Sequence, residues 1–344
     1  MGMLAAVARN TLAEIARQPI YALLLVLMCM LIIISPAFAA HIYTFGAGSG
    51  LQRPAERLVA DLGLATILLT GLLLAVFTTT GVIHREIEER TAVTVLVKRV
   101  GRAAFVFGKY LGVAAALAMA TLTGAAAVLL TVRMGAAVAV GDPLDYGVMA
   151  GLVVAALGAV LFATFRNYYR GRAWIGSFAM AYMALMAFVF LVFLLIDRDY
   201  GLVFMPPSKV DSGETRLRSY DWDVLLAALL VCEAVLVLAS IAAAASTRLA
   251  AGANFAVCAM AFLGGLSSDF IRSQADAAGG ALAVAGRVWH ALMPNLQVYW
   301  MSDALTREQP IPWCYLRTAS SYSLLYIMVM LLAGAVLFQR REIV

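Results

Sequence analysis

Three stretches of this sequence hold residue types that could do chemistry. The first is 101–109, GRAAFVFGK, which ends in a Gly-Lys pair. A phosphate-binding loop needs closely set glycines whose amides cradle the phosphates, then Lys, then a Ser or Thr for Mg²⁺. Here Gly101 and Gly108 are too far apart, Tyr110 stands where the hydroxyl should be, and no strand precedes the run. The chain is expected to hold no ATP site and to be no enzyme.

The second is Glu233, beside Cys232 in the middle of an apolar run. A carboxylate at membrane depth is costly and marks a functional position by default. It could take up a proton or cation or line a polar pathway. Equally, it could be protonated or hydrogen-bonded between helices. His41, His84 and His290 share no metal-ligand spacing, and the four cysteines form no paired motif, so neither a metal site nor a disulfide framework is expected. No HExxH, Ser-His pair or carboxylate cluster suggests an intramembrane enzyme.

The third is 84–109, HREIEERTAVTVLVKRVGRAAFVFGK. Glu86, Glu89 and Arg90 fall at helical spacing, Val93, Leu96 and Val97 make an apolar face, and Lys98, Arg99 and Arg102 follow. This pattern predicts a short amphipathic helix, a break near Gly101 and a new apolar helix entered through Phe105 and Phe107.

The elements that must position these residues are membrane helices. Apolar residues are 63% of 344 positions and charged residues 13%, half the share a soluble domain uses to cover itself. Apolar runs of about 20 residues, long enough to cross a bilayer core, recur without the alternation of barrel strands. The fold class is therefore an all-α, polytopic helical bundle, a single domain over 1–344. Eight spans are expected at 20–41, 62–83, 110–132, 146–165, 174–196, 223–245, 253–268 and 319–338. The seventh is short, and Gly264-Gly265 near its end suits a half-span or re-entrant element. Residues 1–19 read as an interfacial helix, although Ala37-Phe38-Ala39 also resembles a signal-peptide cleavage site. Residues 197–222 read as an outer loop. Residues 269–318, with Gly279-Gly280 and an amphipathic stretch from Ala281 to Leu292, read as an outer interfacial segment.

With the N-terminus inside, the inner segments hold fourteen bases against five acids, a balance of +9. The outer ones hold eleven bases against fourteen acids, a balance of −3. The positive-inside rule then places both termini in the cytoplasm. Arg166, Arg170 and Arg172 could meet anionic lipid or a soluble partner, and their role in fixing orientation accounts for them as well. Nucleic acid is not an expected partner.

From Glu86 to Gly112 the chain resembles type 2 ABC transporter permeases, in Glu86, Glu89, Thr91, Leu96, Arg99, Gly108 and Lys109. The usual Gly before the Thr and Pro in the basic turn are replaced by Arg90 and Val100. NTLAEIARQP at 10–19, STRLAAGAN at 246–254, MPNLQVYWMSDAL at 293–305 and LFQRREIV at 337–344 resemble other parts of that family. Residues 133–222 do not, so spans four and five read as a pair inserted into a six-span permease.

The resemblance implies an exporter-like dimer, with a second permease copy or homologue, in a bacterial inner membrane. Each permease would bind a cytoplasmic ATPase that holds the ATP and Mg²⁺. Coupling would fall to Glu86, Glu88, Glu89, Arg90, Thr91, Val93, Leu96 and Arg99, and pathway polarity to Glu233. The outer segments leave room for an outer-side partner to which force rather than solute is passed. An ion-coupled secondary transporter centred on Glu233 is the rival reading. No inverted repeat or paired set of intramembrane charges speaks for it.

Overall fold

The computed structural model describes residues 2–46, 53–88, 101–135, 145–196, 222–301 and 311–339. These are almost wholly helical. A short helix, α1 (Gly2–Ile15), turns through Ala16–Gln18 into α2 (Pro19–Gly46). The helix α3 (Arg53–Thr79) widens into a π-turn at Thr80–His84 and adds one more turn, Arg85–Glu88. Then come α4 (Arg102–Gly135), α5 (Tyr146–Arg170), α6 (Trp174–Leu195), α7 (Trp222–Ser246), α8 (Ala251–Leu266), α9 (Ser268–Ala278), α10 (Gly280–Leu292) and α11 (Trp313–Gln339).

Among the described residues seven helices are long and apolar enough to cross a membrane: α2, α3, α4, α5, α6, α7 and α11. The structure has a bent pair of helices at the expected seventh span. At 16 residues α8 reaches only about 24 Å, short of a hydrocarbon core of about 30 Å. It then bends by 61° into α9. Beside the bend, Gly265 lets the chain after α10 pack closely, since a Cβ there would stand 2.5 Å from the carbonyl oxygen of Pro294. At Gly279 and Gly280 φ is +69° and +59°, a left-handed region that glycine enters without penalty, and the chain doubles back there into α10.

In lipid every backbone polar group must find a partner inside the protein. Pro36 interrupts α2 and leaves the Ile32 carbonyl without its usual amide donor. Ser35 Oγ donates to that oxygen at 2.7 Å. Asp145 caps α5 by accepting from the Val148 amide at 3.2 Å, and Gly171 (φ +58°) closes its other end.

The core is three helices deep. The apolar stretches of α3, α4 and α7 are 67, 72 and 72% buried, those of α5, α6 and α11 only 28, 39 and 33%. Small residues set the close approaches: Gly63 meets Val128, Gly71 meets Val235, and Gly334 meets the Ala244 backbone. Tyrosine hydroxyls bridge helices, Tyr21 donating to the Ala116 carbonyl at 2.8 Å and Tyr110 to the Leu236 carbonyl at 3.0 Å. The helices α5 and α6 form a hairpin on the rim. Arg133 of α4 clasps it by pairing with Asp145 at 3.3 Å and donating to the carbonyls of Phe193 and Ile196.

Candidate functional site

The charged residues with the most demanding surroundings lie where α1, the end of α3 and the start of α4 meet. Helix α1 lies against the first turns of α4, with Val7 over Gly108 and Thr11 and the Ala8 carbonyl over Gly112. A Cβ at Gly112 would stand 2.6 Å from that carbonyl oxygen, so glycine is what lets α1 sit this close.

Beneath the contact lies Lys109, whose side chain is 4% exposed. A buried ammonium is tolerable only when paired. Lys109 Nζ donates to Glu86 Oε1 at 2.6 Å and to Glu14 Oε2 at 3.4 Å. The two carboxylates come from the last turn of α3 and from α1, so one cation ties three elements. Burial raises the Glu14 carboxyl above its ordinary range, against the lowering pull of Lys109. Phe105, one turn before Lys109, stacks on Phe338 near the end of α11 with centroids 5.7 Å apart.

Next to this junction is the π-turn, a local widening that recurs at functional positions in helices. Asn254, fully buried in the first turn of α8, donates to Thr80 Oγ1 at 2.9 Å and to the Ala242 carbonyl at 3.2 Å. His84 Nδ1 lies 3.3 Å from the Ser246 carbonyl oxygen. The end of α3 is thus pinned to α7 and α8 by polar contacts, and to α1 and α4 by charge.

Of the residues expected to couple, Glu86 stands at the center of this junction. Glu88 is described by its backbone alone, at the end of the turn that carries Glu86. Glu89, Arg90, Thr91, Val93, Leu96 and Arg99 lie outside the described residues. Gly108, Lys109 and Tyr110 sit in a continuous helix packed against α1 and α7 rather than in a loop. The sequence matches no protein-family model, and no curated protein matches it at a significant level.

Glu233 lies halfway along α7, about 15 Å or more from either end of that helix at 1.5 Å per residue. Its carboxylate accepts from Ser320 Oγ at 2.5 Å and from Ser323 Oγ at 2.9 Å, both on α11. Ser323 Oγ also lies 2.8 Å from the hydroxyl of Tyr299, which is buried in a 3-10 turn, Leu296–Tyr299. This is the hydrogen-bonded arrangement expected of a carboxylate packed between helices, and it joins α7 to α11 in mid-span. Cys232 points elsewhere and accepts from Thr121 at 3.1 Å.

Several of these partners escaped the sequence reading. Asn254 falls at the start of the expected span 253–268, where a lone amide opening an apolar run is itself a signal. Glu14 and Lys109 stand in the sequence as charges and within family-like stretches, and Arg133 and Asp145 as charges alone, with nothing to pair them. His290 is engaged by Ser268 at 2.8 Å, and among the described residues no three His, Cys, Asp or Glu converge on a metal position.

Proposed function

We propose that this chain is the membrane-spanning permease subunit of an ATP-driven ABC transporter, working as a dimer with a separate cytoplasmic ATPase and exporting its substrate from a bacterial cell. The observation that carries the reading is the Glu86–Lys109 ion pair. The pair ties the turn that ends α3, Arg85–Glu88, to the first turns of α4, the two elements that the chain between Glu88 and Arg102 connects. A soluble partner that pulls on this segment would pull on α3 and α4 together, at the ends of two of the three most buried helices. Glu14 adds α1 to the same lever.

In this reading Glu86, Glu88, Glu89, Arg90, Thr91, Val93, Leu96 and Arg99 form the contact with the ATPase. The charges supply register and the apolar residues supply the docking face. The charge balance supports a cytoplasmic position for this end of the bundle and for both termini.

The test is to purify the tagged protein from its native membrane under conditions that preserve complexes. Recovery of a phosphate-loop ATPase is the expected result, and its absence together with an intact dimer would sink the proposal. The rival, an ion-coupled transporter, draws on the polar contacts of Glu233. Transport that survives ATP depletion but stops when the ion gradient is collapsed would favour it. A complex that hydrolyses ATP and moves an outer-side protein without moving solute would keep the subunit assignment and remove the transport.

A further inference from the structure

The tip of the α5–α6 hairpin carries positive charge that the described protein leaves uncompensated. Arg166, Arg170 and Arg172 fall within seven residues, and the whole of Tyr146–Leu195 has no Asp or Glu. None of the three arginines forms an ion pair among the described residues. Two ordinary explanations cover part of this. Cations in the last turn of α5 complement its dipole, and bases at a span end fix its orientation. Arg172 lies beyond the helix cap at Gly171, outside the reach of the dipole, and neither explanation involves the exposed aromatic groups of the same hairpin tip.

Those groups line the last turns of α5 and the first turns of α6. Tyr168 and Tyr169 are 81 and 68% exposed, with their rings edge to face at 5.0 Å. Phe165 packs against Tyr169 at 4.6 Å, and the Arg166 guanidinium lies 5.6 Å from the center of the Phe162 ring. Trp174 donates its indole N–H to Thr164 Oγ1 at 3.2 Å and stacks on Phe178. Exposed Tyr and Trp of this kind favour the boundary between acyl chains and headgroups.

The tip is also held in shape. Asn167 Nδ2 donates to the Arg172 carbonyl at 2.9 Å, bridging the reversal. Gly176 rests against Arg17 in the elbow between α1 and α2, where a Cβ would stand 3.0 Å from Arg17 Cγ. The reversal that carries Arg170 and Arg172 is thus held in a defined shape beside the elbow between α1 and α2.

We propose that this tip binds the headgroup phosphate of an anionic phospholipid. Arg166, Arg170 and Arg172 supply the charge, and Tyr168, Tyr169 and Trp174 pack beside the glycerol backbone. A guanidinium donates in a planar fork that matches phosphate oxygens. The site does not depend on the transporter reading.

The test uses the purified full chain in a neutral detergent, with phosphatidylglycerol or phosphatidylcholine titrated in and bound lipid counted by native mass spectrometry. Phosphatidylglycerol is expected to bind more tightly. Each arginine replaced by glutamine should weaken it about fivefold, from a contribution of about 1 kcal/mol per basic residue near a charged surface. The R166Q/R170Q/R172Q variant should fall by roughly 100-fold, to the level of phosphatidylcholine. The corresponding triple lysine variant, which keeps the charge and loses the planar fork, should fall between the natural chain and the triple glutamine variant. If the triple glutamine variant does not fold, R172Q alone, outside the helix, should still show the fivefold loss.

Equal binding of the two lipids, or unchanged binding by the variants, would overturn the proposal. So would competition by millimolar inorganic phosphate, which would identify a free anion as the ligand. A tip that ignores both lipids but captures an acidic soluble partner would overturn it in favour of a protein interface.

Discussion

Lys109 and Glu86 lie 2.6 Å apart at the base of the bundle, with the lysine side chain 4% exposed and the glutamate 20%. Glu14 meets the same ammonium at 3.4 Å and is 36% exposed. The shorter, more buried contact should carry more of the stabilisation.

Replacing Glu86 with Gln is therefore expected to cost more than replacing Glu14 with Gln. Breaking a buried pair from one side costs about 3–5 kcal/mol, because the remaining charge stays buried. With Glu14 still in reach, Glu86→Gln should fall near the lower end. Glu14→Gln should cost little, because burial already holds the Glu14 carboxyl toward its neutral form. Thermal unfolding in detergent provides the comparison. Equal losses would mean that the two carboxylates share the lysine evenly.

The pH dependence of Glu14 has a definite sign. Burial raises its carboxyl above the ordinary value of 4.5. It therefore adds stability that is fully present below pH 4.5 and is lost as the pH rises through the raised folded value. Relative to Glu14→Gln, the natural protein should lose melting temperature across that window. A difference between the two proteins that stays constant from pH 4 to 7 would contradict this.

Asn254 should matter more than the hydroxyl it holds. Thr80→Val removes one of its two hydrogen bonds, while Asn254→Leu removes both. Expected losses are about 1 kcal/mol for the first and about 2–3 kcal/mol for the second. If the π-turn persists only because Asn254 reaches it, hydrogen exchange at Thr80–His84 should also speed up in Asn254→Leu.

Asp145 has two duties, capping α5 and pairing with Arg133. Asp145→Asn should keep the cap and lose the charge, while Asp145→Ala loses both. A cap is worth about 1 kcal/mol, so the alanine variant should be the less stable by about that amount. Limited proteolysis should cut near the α5–α6 hairpin sooner in both variants than in the natural chain.

The bundle itself was legible because its cause is compositional. Runs of Leu, Val and Ala long enough to cross a bilayer become helices whatever their neighbours do. The bend at the expected seventh span was legible too, since Gly264-Gly265 sit where α8 has exhausted its apolar length. The π-turn was not. One extra residue in a helical turn leaves no mark on hydropathy, and Thr78-Thr79-Thr80-Gly81 is only a weak hint of it. The pairing of Lys109 was hidden for another reason. Counting charges by side of the membrane says how many there are and nothing about depth. Glu14 and Lys109 are 95 residues apart, and only the packing of α1 on Gly108 and Gly112 brings them together.

The clasp between Arg133 and the rim hairpin bears on how the chain is built in the membrane. Arg133 and Asp145 are 12 residues apart, whereas Tyr110 must wait for Leu236, 126 residues later. During synthesis the hairpin can close on α4 as soon as α6 has emerged, while the place of α7 is still empty. Parked on the rim, it leaves open the faces of α3 and α4 against which the later helix must pack. A nascent chain stopped just before Trp222 should already hold its clasp while its center is still unfinished.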